Sequence, residues 1–72
     1  MDMVSIGKKL RELRGLRTAT GVARAVGIST SALLAYEGGI RTPRDEVKLA
    51  LCRFYGVTVG ELFFSEDRDG DG

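Results

Sequence analysis

Glycine interrupts every apolar pattern in this 72-residue chain within about three helical turns, and that limit decides what the chain can fold into. Ile6, Leu10 and Leu13 share one face at i, i+4, i+7 spacing and stop at Gly15. Val22, Ala23 and Val26 stop at Gly27, Leu33 and Tyr36 at Gly38-Gly39, and Val47, Leu51 and Tyr55 at Gly56. The first four stretches open at residues able to cap a helix, Ser5, Thr18, Ser29 and Thr42, with Pro43 suited to a first turn. Thr58 and Glu61 have the spacing of a capping box ahead of Leu62, Phe63 and Phe64. No stretch alternates with period two for long enough to make a strand. The pattern predicts an all-α fold, a bundle of five short helices. Helices this short are marginal alone, so packing must hold them.

Composition narrows how that packing can be achieved. One cysteine, Cys52, cannot close an internal disulfide, and a chain without histidine has no Cys/His cluster for a structural metal. No apolar run approaches the roughly 18 residues of a membrane span, and the N-terminus lacks the apolar stretch of a secretory signal. A cytoplasmic location is the expectation. The overall charge of +1 hides a division. Residues 1–64 carry ten basic and six acidic side chains, a net charge of +4, whereas residues 65–72 carry four acidic and one basic, a net charge of −3. A mildly basic domain over 1–64 is thus expected to precede a short acidic tail over 65–72 that does not fold.

Residues 19–38 meet the demands of two helices crossing steeply through a tight turn. Ala23 is small where the helices must touch, and Gly27 tolerates the positive φ such a turn needs. Val22, Val26, Ile28, Leu33 and Tyr36 point to one core, which leaves Ser29, Thr30, Ser31, Leu34 and Ala35 on the outer face of the second helix.

With LRELRG at 10–15, TATGVARAVGISTSALLAYEGGIRTP at 18–43 and YGVTVGELFF at 55–64, the stretch from Ile6 to Phe64 resembles a Cro/CI-type (XRE-like) helix-turn-helix DNA-binding domain. The resemblance implies the five-helix, lambda-repressor-like bundle, homodimeric binding to palindromic double-stranded DNA operators, and regulation of transcription in bacteria or phages, most simply as a repressor. It gives Thr30, Ser31, Leu34 and Ala35 the positions that face base edges. It gives Ser29, Arg41 and Arg44 contacts to the DNA backbone, with Arg17 and Arg24 as further backbone candidates. Arg14 and Glu37 match a buried ion pair joining the first and third helices. Phe63 and Phe64 can hardly both be buried in so small a domain: one can finish the core, and whichever stays exposed is a possible dimer contact.

The chain also departs from the family. Ala19 stands where the family usually has Gln, and the whole sequence contains neither Asn nor Gln. The recognition helix has no Arg either, so bidentate reading of guanine or adenine is closed to it. Thymine methyls and hydroxyl contacts remain open, with backbone positioning and DNA shape. That departure, the acidic tail and the Phe pair keep a second reading in view. In it the same scaffold serves as a protein-interaction module, such as an antitoxin bound to a protein partner. Catalysis is not expected. The chain has no histidine, its cysteine has no neighbouring base, and nothing in it calls for a cofactor.

Overall fold

The computed structural model describes residues 3–64. The acidic tail over 65–72 lies outside the described residues, and so does the side chain of Phe64. Helix α1 spans Met3–Arg14, α2 Ala19–Val26, α3 Thr30–Glu37 and α4 Asp45–Tyr55, and a π-helical turn, α5, spans Gly60–Phe64. No strand occurs among the described residues, and no helix there is long and apolar enough to cross a membrane.

The local signals act where short-range chemistry decides. Thr18 Oγ1 accepts a hydrogen bond from the Gly21 N–H at 3.0 Å, and Ser29 Oγ accepts one from Ala32 at 3.0 Å. Each satisfies an otherwise orphaned donor at a helix start. Gly27 takes φ 91°, a left-handed conformation that a side chain would strain, and its N–H closes α2 on the Ala23 carbonyl at 2.8 Å. The Thr58 and Glu61 box is reciprocal. The Thr58 N–H donates to Glu61 Oε1 at 2.8 Å, and the Glu61 N–H donates to Thr58 Oγ1 at 3.0 Å. The bond from the Thr58 N–H holds the Glu61 carboxyl below the usual carboxylate range, helped by the Thr58 side chain. This contribution to stability is present above the ordinary carboxylate range and fades as pH falls through the lowered value.

The core gathers one face from every helix. Leu10, Leu33 and Leu51 have no exposed surface, and Ile6, Val22, Ala23, Tyr36, Cys52, Leu62 and Phe63 are buried around them. Burial pushes the Cys52 thiol above its ordinary value, with Glu61 adding to the shift. Leu13, Val26, Ile28, Val47 and Tyr55 pack half-buried against this cluster.

The structure corrects three expectations. Helix α1 starts at Met3, so Ser5 lies inside it rather than capping it. The added turn is held by tertiary contact, because Val4 lies against the backbone at Gly39. Helix α4 starts at Asp45 with Arg44 as its N-cap residue and no side-chain cap bond. Thr42 and Pro43 therefore remain in the loop. Pro43 is buried there, and its ring biases Thr42 towards extended backbone. The acidic first turn, Asp45 and Glu46, suits the positive end of the α4 dipole. Phe63 is a core residue rather than a dimer contact. It is 2% exposed, and the Lys48 ammonium sits 5.2 Å from its ring centroid, closing off the edge of the core.

Helix α1 packs chiefly on α3, and Gly7 sets how closely. A Cβ on Gly7 would collide with the Glu37 carbonyl oxygen and come within 2.8 Å of the Tyr36 carbonyl oxygen. These obstacles are backbone and cannot rotate away. Gly7→Ala should therefore cost about 3 kcal/mol or more, since relief requires α1 to move off α3. Gly60 has only Thr58 Oγ1 near it, at 3.8 Å. Gly60→Ala should leave stability unchanged or raise it by up to about 1 kcal/mol. Thermal unfolding of the two variants beside the parent chain checks both.

Candidate nucleic-acid interface

Helix α3 divides its residues cleanly between two jobs. Leu33, Tyr36 and Glu37 turn inward and are buried. Ser31 and Leu34 are exposed and Thr30 and Ala35 half-buried on the opposite side, with Leu34 showing 48% of its surface. The i, i+4 pairs Thr30 with Leu34 and Ser31 with Ala35 place these four on one strip. Ser29 sits at the head of the strip. Its oxygen is engaged with the Ala32 N–H, which leaves its proton for an outside acceptor. Leu33 and Val22 lock α3 against α2 across the turn at Gly27, and Ala23, 1% exposed, allows the close crossing.

The cations differ in how they are held. Arg41 is exposed beyond the end of α3, and its guanidinium lies 5.7 Å from the Tyr36 ring centroid. The arginine is thereby joined to the helix that carries the strip. Arg44 is exposed at the N-cap of α4, and Arg24 is exposed in the last turn of α2. Arg17 is directed elsewhere. Its guanidinium lies 5.5 Å from the Phe54 ring, and Nη1 donates to the Leu13 carbonyl at 3.3 Å. Of the five backbone candidates, the structure sets Ser29 at the head of α3 and Arg41 just past its end, and ties Arg17 to α1 and α4.

Arg14 and Glu37 join α1 to the inner end of α3. Arg14 Nε donates to Glu37 Oε2 at 2.8 Å and Nη2 to Oε1 at 3.1 Å, a bidentate fork. Nη1 donates to the Arg17 carbonyl at 2.9 Å, so one guanidinium also fixes the connection between α1 and α2. The Glu37 side chain is 2% exposed and that of Arg14 15%. Its bond to Glu37 raises the Arg14 pKa still further above neutrality. The Tyr55 hydroxyl is buried near this pair and has no hydrogen-bond partner among the described residues. Burial, then the charge on Glu37, pushes its pKa up.

Two features of this arrangement escape sequence reasoning. The stacking of Arg41 on Tyr36 and of Arg17 on Phe54 joins residues whose spacing carries no signal. The role of Gly7 had one available sign, an isolated glycine inside an otherwise helical pattern, which commonly marks a close packing contact.

Two capped helices joined at a left-handed glycine, set among the five described helices with one strip of α3 turned out, define a helix-turn-helix unit. Residues 5–62 match the helix-turn-helix domain family, and the chain belongs to it, in the Cro/CI-type (XRE-like) form. Over 65 residues the chain is 35% identical to the cryptic phage CTXphi transcriptional repressor RstR of Vibrio cholerae. That alignment covers 88% of this chain and 59% of the relative, so the chain spans about three fifths of the curated relative it matches. No solved structure matches.

Arg14→Ala should destabilise the domain by about 3 kcal/mol, because it leaves a carboxylate buried without its partner. Replacing both partners with apolar residues, Arg14→Met with Glu37→Leu, should cost far less than the single change. Urea unfolding of the two variants measures the difference.

Proposed function

We propose that this chain is a homodimeric, sequence-specific binder of double-stranded DNA that represses transcription, with α3 lying in the major groove. The observation that carries this reading is the outward strip Thr30, Ser31, Leu34 and Ala35, presented by a helix whose other face is fixed in the core. Thr30 and Ser31 meet base edges through their hydroxyls, and Leu34 and Ala35 through methyl groups. Ser29, Arg41, Arg44 and Arg24 bind phosphates, and Arg17 adds its charge from the loop before α2. The charge of +4 on residues 1–64 favours approach to a polyanion. The similarity of the matched phage protein, a transcriptional repressor by name, supports the regulatory role. In a dimer, the two α3 helices meet half-sites about one helical turn apart, roughly 34 Å. Phe64, at the end of α5, remains the candidate contact between protomers. Residues 1–64 then form the DNA-binding domain, followed by the acidic residues 65–72.

Selection of duplexes from a random library, with sedimentation of the complexes, tests this reading. The expected result is a palindromic site bound by two chains, with affinity falling steeply as salt rises. Arg41→Ala and Arg44→Ala should each weaken all sequences alike and reduce the salt slope by about 1. Thr30→Glu with Ser31→Glu should reduce binding by at least about 100-fold through charge repulsion with phosphates. Acidic residues suit the first turn of a helix, so circular dichroism of that variant should be unchanged. Stable capture of a protein partner with no preferred duplex would favour the protein-interaction module instead.

A further inference from the structure

The strip on α3 has a chemistry that restricts what it can distinguish. Between Gly27 and Arg41 the chain carries no Lys, Arg, Asn, Gln or His. The one charged side chain there, Glu37, is buried and held by both Arg14 bonds, so it cannot accept from a cytosine amine. Arg41, the nearest arginine beyond the helix, is stacked on Tyr36. Beside the Ser29 hydroxyl, given to phosphate, the outward groups that remain are the hydroxyls of Thr30 and Ser31 and the methyls of Leu34 and Ala35, with Ile40 74% exposed just past the helix.

A hydroxyl both donates and accepts. It can donate to thymine O4 or accept from the cytosine N4 amine, so it separates these bases poorly. On the opposite strand, adenine and guanine both present the N7 acceptor. What remains to be read is the group at C5 of the pyrimidine, a methyl in thymine and a hydrogen in cytosine. A large apolar side chain left exposed on the strip responds to that difference alone.

Resting on the DNA-binding reading above, we propose that α3 recognises 5-methylpyrimidines through Leu34 and Ala35. Thymine and 5-methylcytosine are then equivalent at the positions these side chains meet, and cytosine methylation turns a poor site into a good one. Burying one methyl group is worth about a fourfold change in affinity, and a duplex altered in both half-sites changes by roughly 15-fold.

The test starts from the duplex selected above and uses the full chain. Each thymine in turn is replaced symmetrically by uracil, by cytosine with guanine opposite, or by 5-methylcytosine with guanine opposite, and affinities are measured by titration. At one or more positions uracil and cytosine should both weaken binding by roughly 15-fold, and 5-methylcytosine should restore it to within about twofold of thymine. Leu34 is half-exposed and outside the buried core cluster, and alanine suits a helix, so Leu34→Ala should bring the thymine-to-uracil ratio at its position close to 1. A preferred duplex that binds equally well with uracil at every position overturns this inference and leaves the DNA-binding reading standing. So does a uracil effect that 5-methylcytosine fails to reverse. A library yielding no preferred duplex overturns both.

Discussion

The structure depends on how closely α1 can lie against the end of α3. Gly7 permits a backbone-to-backbone approach at Tyr36 and Glu37, and the Arg14–Glu37 fork then joins the other end of α1 to the same turn. Close packing comes from the missing side chain and orientation from the ion pair. The fork adds less stability than its short distances suggest, because both charges lose water when it forms. Its effect on orientation is larger. The third bond of Arg14, to the Arg17 carbonyl, fixes where α2 begins, and α2 fixes α3 through Val22, Ala23 and Leu33. One guanidinium therefore ties α1 to the connection before α2 and to α3, the helix that carries the outward strip.

The parts of the fold legible in the sequence are those decided within four residues. Thr18, Ser29 and the Thr58–Glu61 box satisfy nearby N–H groups, and Gly27 adopts a conformation few residues tolerate. The apolar stripes give the core because a helix in a small domain has only one face to bury. Where the sequence misleads, a distant contact has overridden a local preference. Ser5 is a good cap, but Val4 gains contact at Gly39 by continuing the helix outward. Thr42 and Pro43 read as a helix start, but burial of Pro43 keeps the chain extended until Arg44. Phe63 and Phe64 are indistinguishable neighbours in the sequence, and only the direction of α5 sends Phe63 into the core beneath Lys48.

The candidate site is legible to a similar degree, for a related reason. The inward face of α3 is set by apolar spacing, and the outward strip is whatever that spacing leaves over. The arrangement of the arginines is not legible. Aromatic rings contributed by other parts of the chain, Tyr36 under Arg41 and Phe54 beside Arg17, decide where these cations rest. Such contacts limit the rotamers each arginine must give up when it meets a partner. Composition reveals the number of positive charges; the fold decides how ready each one is.

Cys52 gives this small domain an internal reporter. Its thiol lies 4% exposed in the core between α4 and its neighbours, and burial holds back the reactive thiolate. A reagent in solution can reach it only when that part of the core opens. In a chain with one cysteine, every labelled molecule records an opening at the same address. At low reagent the labelling rate measures the fraction of time that α4 is parted from the core, which links the stability of the scaffold to an observable that involves neither heat nor denaturant.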